Sequence, residues 1–418
     1  MFFPLFIARR IYRNDTPEGG RVSKPAITIA LTGIVIGMAI MILSIAIALG
    51  FKQKVKEKVT GFNAEIQVAN YSRSNNLYET RPIVGNDSIQ EIIRQASSGI
   101  SHVQRYTNKP GMLKTDEHFQ GVILKGIAQE YDTTFFARHL IEGSIPQFTD
   151  TVSSGEILIS KTLADKMGLK IGERINTYFI QENVRARRFT IKGIYQTNFA
   201  EYDNRFLITD IYTANRLNNW KDKQLVSGME VAIHPNASLD DCSDQLGKII
   251  NRQTDLYGNA YLAQNIEQLY PSIFAWLDVL DTNVLVILIL MIGVAGFTMI
   301  SGLLILILER TNMIGVLKAL GATNYIIRQI FLIFAMLLIG KGLLLGNIIG
   351  IGLCLIQQMT NVVKLDPETY YVNAVPVLIN IPSILILNTL TLITSVSMLI
   401  GPSLLISRIK PAKSIKFE

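Results

Sequence analysis

The sequence predicts an α-helical membrane protein with four transmembrane helices and a large α+β domain. Residues 26–50 and 282–308 contain no charged side chain, and each run is long enough to cross a hydrocarbon core of about 30 Å. Residues 326–356 and 384–406 are two further, largely apolar runs, whereas residues 51–275 have the composition of a soluble domain. The chain as a whole is 49% hydrophobic and 17% charged. These values are averages over apolar spans and a polar domain.

Basic residues predict the orientation of the spans. Both termini and the short segment after residue 308 are rich in arginine and lysine, which favours the cytoplasm for all three. Lys52, Lys54, Lys56 and Lys58 follow the first span and favour the opposite orientation, but long domains cross membranes largely regardless of flanking charge. We therefore place the domain outside the cytoplasm. The net charge of +7 then reflects membrane topology, and we expect no nucleic-acid partner.

The predicted segments alternate between membrane and water. In chain order they are an amphipathic cytoplasmic segment (1–25), the first span (26–50), the extracytoplasmic domain (51–275), the second span (276–308), a short cytoplasmic helix (309–325), the third span (326–356), an extracytoplasmic loop (357–380), the fourth span (381–406) and a cytoplasmic tail (407–418).

The sequence contains no recognisable catalytic or metal-binding motif. None of the four histidines has a second histidine or cysteine at metal-ligand spacing. Neither a G-x-S-x-G elbow nor a G-x-x-x-x-G-K-[ST] phosphate loop occurs. Cys242 lies in the domain and Cys354 in the third span, so the cysteines form no disulfide framework. We expect no enzyme activity, metal or cofactor in this chain, and any energy for transport must come from another subunit.

Strand and helix signals alternate through the extracytoplasmic domain. Short apolar or alternating runs predict strands at 65–69, 121–127 and 155–160. Ser238 is a predicted N-cap and Gly168 a predicted helix end. The pattern indicates an α+β domain with two lobes.

A predicted hairpin at residues 178–189 carries Arg185, Arg187 and Arg188. One interpretation is a solvated basic hairpin, since runs of charge usually face water. The other is a docking element for an acidic partner surface.

The cytoplasmic segment after the second span has the periodicity of a helix. Met313, Val316, Leu317 and Leu320 recur at i, i+3, i+4 and i+7, and Gly321 follows where a glycine would end the helix. Such a face would fit a groove on a partner protein. The alternative is a helix that only rests on lipid.

The spans contain small-residue stripes and one deep charge. Gly33 and Gly37, and then Gly342, Gly346 and Gly350, predict close helix packing. Lys341 is an intramembrane charge, which is either functional, or paired or snorkelling. Apolar side chains of the first two spans are candidates for a lipid-binding cavity, with ordinary packing as the alternative: Met38, Met41, Ile42, Ile45, Leu285, Ile289 and Ile292.

Several stretches resemble a known family. The stretch "ERTNMIGVLKALGATNYIIRQIF" is similar to the signature of type VII ABC transporter permeases, the FtsX-like and MacB-like group. The first span, the stretches "GEILISKTLADKMGLKIGERI" and "FTIKGIYQTNFAEYDNRFLIT", and the tail "PAKSIKFE" resemble the lipoprotein-releasing permeases LolC and LolE. The resemblance implies a porter-like lobe (51–135 and 224–275) with an inserted sabre-like lobe (136–223).

The resemblance also implies partners and residue roles. It implies a separate ABC ATPase (LolD-like) that holds ATP and Mg²⁺, a second permease in a homodimer or heterodimer, a lipoprotein substrate, and a LolA-like periplasmic carrier at the hairpin with the three arginines. It implies a Gram-negative inner membrane with both termini cytoplasmic. The implied ATPase-coupling residues are Glu309, Arg310, Met313, Gly315, Val316, Leu317, Lys318, Leu320 and Gly321.

Two alternatives stay open within the same resemblance. One is a MacB-like efflux permease, although MacB carries its ATPase on the same chain. The other is an FtsX-like signalling subunit that regulates cell-wall hydrolysis and transports nothing.

Overall fold

The structure is a computed structural model that describes residues 2–13, 24–72, 81–115, 118–180 and 184–404. Several sequence predictions fall outside these residues. They are the cytoplasmic tail at 407–418, most of the amphipathic segment after Arg13, and the tip of the basic hairpin.

The chain falls into two units. The membrane unit comprises Met1–Lys52, Trp276–Lys364 and Ala374–Glu418. The globular unit comprises Gln53–Ala275 together with Leu365–Asn373, which comes from the loop between the last two spans.

The elements of the globular unit follow two N-terminal helices, α1 (Phe2–Arg13) and α2 (Lys24–Asn63). In chain order they are β1 (Ile66–Asn70), β2 (Ile83–Val84), α3 (Asp87–Gln95), β3 (Ile100–Lys114), β4 (Phe119–Ile127), α4 (Thr134–Arg138), β5 (Leu140–Gly143), β6 (Glu156–Ser160), α5 (Lys161–Met167), β7 (Arg174–Ile180), β8 (Val184–Tyr195), α6 (Ala200–Asp203), β9 (Phe206–Asp210), α7 (Ile211–Leu217), β10 (Leu225–Val226), β11 (Gly228–Ile233), α8 (Leu239–Ile250), β12 (Tyr261–Asn265) and α9 (Ile266–Leu269).

The remaining elements are α10 (Pro271–Glu309), α11 (Thr311–Ala319), α12 (Asn324–Thr360), α13 (Pro367–Tyr370) and α14 (Ile381–Ser403). Four of the described helices, α2, α10, α12 and α14, are long and apolar enough to cross a membrane. With the mixed α+β unit between α2 and α10, they confirm the predicted fold class.

Helix α2 continues well beyond the predicted end of the first span at Gly50 and ends at Asn63. The physical reason lies in the sequence after that glycine. Phe51, Val55, Val59 and Phe62 recur at helical spacing and are between 0% and 8% exposed, so one face of the extension is buried. The lysines of "KQKVKEK" therefore belong to an amphipathic extension of α2.

One mixed sheet runs through the globular unit. Its strand order is β12-β1-β11-β3-β4-β9-β6-β8-β5, and β7 pairs with both β3 and β8. The β4–β9 and β6–β8 pairs are parallel, and the other pairs in this sheet are antiparallel. The predicted helix ends are confirmed here, because Ser238 accepts a bond from the Asp241 N–H (3.3 Å) and Gly168 adopts φ +65° after α5.

The sheet has two hydrophobic cores. One core contains Val103 of β3 together with side chains of α3 and α8. The other contains Leu113 of the same strand together with side chains of α5. Val122 of β4 also belongs to the second core. Because β3 is long, it contributes side chains to both cores. The boundary between the cores therefore does not coincide with residue 136, where the family resemblance places the start of the sabre-like lobe. The division into lobes at 136 and 223 stays a prediction.

Helix α1 packs on α12 by one face. Ala8 is fully buried in the membrane-unit core, and the Tyr12 ring meets the Phe334 ring edge-on at 6.3 Å between centroids. The other face exposes Phe3 and Phe6. Helix α1 thus has one face packed on protein and one exposed aromatic face, and its position in a membrane interface stays a prediction.

Candidate functional site

Helix α11 is a short helix with a fixed end. After Leu320 the chain turns at Gly321 with φ +93°, the Gly321 N–H donates to Lys318 O (3.0 Å), and the Ala322 N–H donates to Leu317 O (2.9 Å). This pair of hydrogen bonds is a Schellman motif, which needs a residue in the left-handed conformation and so favours glycine. The predicted role of Gly321 as the helix end is confirmed.

The predicted apolar face of α11 is divided between core and solvent. Ile314 and Gly315 are buried, and Met313 and Leu317 pack half-buried against the membrane-unit core. The expectation that Met313 and Leu317 form part of an open docking face is therefore corrected. Helix α11 is joined to α10 and α12 by tight turns at its two ends. These short connections hold one side of α11 against the side chains of the two long helices.

Two side chains of the predicted apolar face stay exposed, one on α11 and one at its C-cap. Val316 is 47% exposed and Leu320 is 80% exposed, and they are one helical turn apart. We call this pair the α11 patch. Tyr325, at the start of α12, is also exposed.

The charged coupling candidates flank this helix. Glu309 is the last residue of α10 and is exposed, and Lys318 is half-buried in the last turn of α11. Arg310 links the two helices, and within the described residues its Nε atom is buried without a hydrogen-bond partner. Their role in ATPase coupling stays a prediction.

The glycine stripe of α12 lies against α2. A Cβ on Gly342 would stand 2.8 Å from Ile34 Cγ2, and one on Gly346 would stand 2.6 Å from Met38 Cβ. A Cβ on Gly350 would be 3.1 Å from Ile42 Cδ1. Since real Cβ contacts are longer than about 3 Å, larger residues in this seam would push the two helices apart.

The shorter stripe on α2 faces α10. A Cβ on Gly33 would meet Thr298 Oγ1 at 3.0 Å, whereas one on Gly37 would reach Met291 Cε only at 3.6 Å. Gly33 is thus the more tightly packed of the two.

The candidates for a lipid-binding cavity differ in exposure. Met38, Met41 and Ile42 are at most 1% exposed and pack in the core, and Ile45 and Ile292 pack partly buried against it. The first three do not line an open cavity, because α12 approaches α2 closely along the glycine stripe. Leu285 and Ile289 are 57% and 61% exposed on α10, and lipid contact stays a prediction for them.

An open apolar groove lies between α2 and α10 and was not predicted from the sequence. It has a volume of about 280 Å³. Its lining residues are Ile29, Phe297, Thr298, Ser301, Gly302 and Ile305. The side chains alone carry no signal for it, since they are ordinary membrane-helix residues.

The deep lysine has an aromatic neighbour. Lys341 Nζ lies 5.9 Å from the centroid of the Tyr12 ring, within cation–π distance. The charge is therefore placed beside α1, which fits the paired alternative, and a functional role for Lys341 stays a prediction.

A polar pair joins α12 to α14. Asn347 Nδ2 donates to Asn388 Oδ1 (2.7 Å), and Asn388 Nδ2 donates back to Asn347 Oδ1 (3.0 Å). Each amide also donates to a carbonyl of its own helix, Leu343 or Ile384. Two reciprocal bonds fix the register of these helices in a setting with little competing water.

The end of α2 is held in a cluster of aromatic rings. Phe62 stacks on Tyr202 at 4.5 Å between centroids and meets Phe135 and Phe136 edge-on at 5.2 and 5.6 Å. We call Phe62, Phe135, Phe136 and Tyr202 the α2 seat. Gly61 makes this packing possible, because a Cβ there would overlap the Phe135 ring.

A buried ion pair closes the same end of α2. Lys125 Nζ donates to Glu230 Oε1 (2.6 Å), to Tyr131 Oη (3.0 Å) and to the Phe62 carbonyl. Burial lowers the pKa of Lys125, and Glu230 offsets part of that effect. Burial next to Glu230 raises the pKa of Tyr131 well above its usual value, so the phenol stays a hydrogen-bond donor to that carboxylate. The helix end thus has a charge-assisted cap inside the domain.

The basic hairpin is made by β7 and β8. Arg185 donates to Asn219 Oδ1 (3.3 Å) and Arg216 O (3.4 Å), so it is used within the domain at the end of α7. Arg188 donates to Asn176 Oδ1 (3.3 Å), and both Arg187 and Arg188 are exposed. The structure therefore leaves Arg187 and Arg188 as the more accessible of the three carrier-docking candidates, and that role stays a prediction.

Within the described ranges, no cluster of histidine, cysteine, aspartate or glutamate could hold a metal ion.

Comparison with known families gives the chain its context. Residues 27–249 match the MacB-like periplasmic core domain, and residues 285–411 match the FtsX-like permease C-terminal domain. The chain belongs to the family of FtsX-like and MacB-like permeases. It is therefore a type VII ABC permease, a membrane protein with a periplasmic domain, and the recognised family resemblance is confirmed.

Similar proteins include permeases of lipoprotein-releasing systems. This FtsX-like permease is 21% identical to the lipoprotein-releasing system transmembrane protein LolC of Xylella fastidiosa, with 100% of both chains covered. It is 19% identical to LolE of Haemophilus influenzae over 98% of both chains. The periplasmic region of MacB from Actinobacillus actinomycetemcomitans matches 52% of this chain and 95% of its own, with a TM-score of 0.34 and 16% identity.

Proposed function

We propose that this chain is the permease subunit of an ATP-driven complex that extracts lipoproteins from a membrane and transfers them to a periplasmic carrier. The observation that carries the mechanism is the α11 patch, an exposed apolar pair on a helix with a fixed end. Similarity over the full length to LolC and LolE, both named as parts of a lipoprotein-releasing system, supports the substrate class.

The α11 patch is the docking point for a separate ATPase subunit. Val316 and Leu320 would enter a groove on that subunit, as amphipathic helices commonly do. The partner, LolD-like in this proposal, binds ATP and Mg²⁺, since this sequence has no phosphate loop.

Helix α2 passes the resulting movement to the periplasmic domain. It is an uninterrupted helix of 40 residues, or about 60 Å at the usual rise per residue. Its far end is held by the α2 seat and by the Lys125 ammonium, so a push along the helix meets a fixed attachment rather than a flexible linker.

The same proposal assigns surfaces to the substrate and to the other partners. Leu285 and Ile289 on α10 would contact the acyl chains of a lipoprotein, which need apolar surface. A second permease, either a copy or a relative of this one, would enclose these acyl chains from the other side and so complete a lipid-binding cavity. Arg187 and Arg188 would meet an acidic surface on a LolA-like carrier.

The proposed location is the inner membrane of a Gram-negative bacterium with both termini in the cytoplasm. The distribution of basic residues supports this orientation.

Depletion of this protein in its host tests the proposal. Membranes are fractionated, and a lipidated reporter destined for the outer membrane is followed. We expect the reporter to accumulate in the inner membrane. Normal sorting would contradict lipoprotein release, and would favour either efflux, if drug sensitivity rises, or control of cell-wall hydrolysis, if division fails.

A further inference from the structure

The loop between α12 and α14 is folded as part of the globular unit. Leu365–Asn373 groups with Gln53–Ala275 rather than with the helices on either side of it. The Leu365 N–H donates to Asn373 O (3.0 Å), and Thr369 Oγ1 donates to Asp366 Oδ2 (2.8 Å) at the start of α13. The loop therefore has a definite conformation of its own.

One lysine on the extension of α2 holds this loop by its backbone. Lys58 Nζ donates to the Tyr371 carbonyl and to the Asn198 carbonyl (3.3 Å). Asn198 and Tyr371 both have left-handed backbones, with φ of +57° and +60°. That conformation is unfavourable for a residue with a side chain, and it persists where the surroundings require it. Here the two residues present their carbonyls to one ammonium.

Ring packing makes a second attachment. The Tyr371 ring meets the Phe199 ring edge-on at 5.0 Å, and Phe199 is fully buried. Phe199 in turn stacks on Tyr202 at 5.0 Å, a ring of the α2 seat. Val372 beside it is only 6% exposed. Two independent kinds of contact thus fix the loop to the globular unit.

We propose that Leu365–Asn373 is a strap that ties α12 and α14, through their covalent connection, to the residues that hold the end of α2. A displacement of the α2 seat would then act on the last two spans directly, without passing through α11. The strap concerns the mechanics of the permease, and it holds whatever the complex transports.

Hydrogen–deuterium exchange of the full-length protein in nanodiscs tests this proposal. Lys58→Met removes the ammonium but keeps the apolar stem of the side chain. We expect the amides of Leu365, Tyr370 and Tyr371 to exchange about tenfold faster, since the charge-assisted bond from Lys58 to the Tyr371 carbonyl is lost. Lys56→Met is the matched control, because Lys56 is exposed on the same helix, and it should leave these rates unchanged.

A second variant tests the ring contact of the strap. Tyr371→Gly keeps the left-handed backbone without strain and removes the ring. We expect faster exchange at the amides of Tyr202 and Asp203 in α6 and of Asn204 at its C-cap, which greater flexibility of the loop alone would not produce. Unchanged exchange of the loop in Lys58→Met, or of α6 in Tyr371→Gly, would overturn the strap. Neither measurement involves transport or ATP hydrolysis, so it separates the strap from the proposed function.

Discussion

Lys125 and Glu230 form an ion pair inside the periplasmic domain, with 2.6 Å between Nζ and Oε1 and side chains 2% and 0% exposed. Lys125 also donates to the Phe62 carbonyl at the end of α2, and the Tyr131 hydroxyl accepts from Lys125 and donates to Glu230. The pair therefore connects the long helix α2 to two strands, β4 and β11, of the central sheet.

Removing one member of this pair should destabilise the domain strongly. Lys125→Met leaves Glu230 charged and buried, and we expect a loss of about 3–5 kcal/mol in the free energy of unfolding. Chemical denaturation of the full-length protein in detergent, followed by the fluorescence of the domain, measures it.

Two further variants make the measurement specific. Lys125→Met combined with Glu230→Gln should recover part of the loss, since no buried charge is left unpaired. Lys192→Met is the control, because its pair with Glu156 is partly exposed and should be worth less than about 1 kcal/mol. Equal losses for Lys125→Met and Lys192→Met would contradict this account of the buried pair.

Gly61→Ala should disturb the α2 seat. The added methyl group would overlap the Phe135 ring, and we expect a cost of about 1–3 kcal/mol, although alanine is the better helix former. Gly247→Ala is the control within a helix of the same domain. Its Cβ would come no nearer than 3.4 Å to a flexible Asn251 side chain, so we expect a neutral or slightly stabilising change. A stabilised Gly61→Ala protein would show that the seat is not tightly packed.

The ion pair between Arg105 and Glu130 predicts a pH dependence. Arg105 Nε lies 2.6 Å from Glu130 Oε1. Burial by itself would raise the pKa of Glu130, but the bonds and charge of Arg105 outweigh it and lower that pKa below 4.5. A carboxyl with a depressed pKa in the folded state stabilises the protein above its unfolded pKa, and this contribution is lost as the pH falls through the folded pKa.

Glu130→Gln should therefore cost stability at pH 7 and cost progressively less as the pH falls below 4.5. Thermal unfolding at a series of pH values measures the difference from the unmodified protein. Glu91→Gln, which removes an exposed pair with Arg94, should cost little at any pH. A cost of Glu130→Gln that does not vary with pH would rule out this linkage.

The α11 patch should be required for binding of the ATPase. Leu320→Asp places a charge at the more exposed residue of the α11 patch, and we expect the ATPase subunit to be lost on co-purification while the permease stays folded. Asn312→Asp adds the same charge at an exposed position outside the patch and should retain the ATPase. Leu317→Asp is a poor test, because Leu317 packs against the membrane-unit core. Retention of the ATPase by Leu320→Asp would refute docking at this patch.

Features with a local signal in the sequence were predictable. The glycine that ends α11 and the apolar runs of the four spans depend on residues close together in the chain, so spacing alone indicates them. The glycine stripe of α12 was also visible, although its partner on α2 was not.

Features that join distant segments left no such signal. Lys125 and Glu230, or Asn347 and Asn388, look like ordinary residues until the fold brings them together. The same limit explains the division of the α11 face. Its period was clear, but the inward side, with Ile314 buried, is decided by how α10 and α12 meet.

Release of a lipidated reporter from proteoliposomes tests the central claim most directly. The vesicles contain the purified permease with the ATPase that co-purifies with it, and the soluble phase contains a periplasmic extract as the source of carrier. The account predicts that the reporter leaves the membrane only when ATP and the extract are both present, and that vesicles made with Leu320→Asp permease do not release it. A reporter that stays in the membrane while the complex hydrolyses ATP would contradict lipoprotein release by this permease.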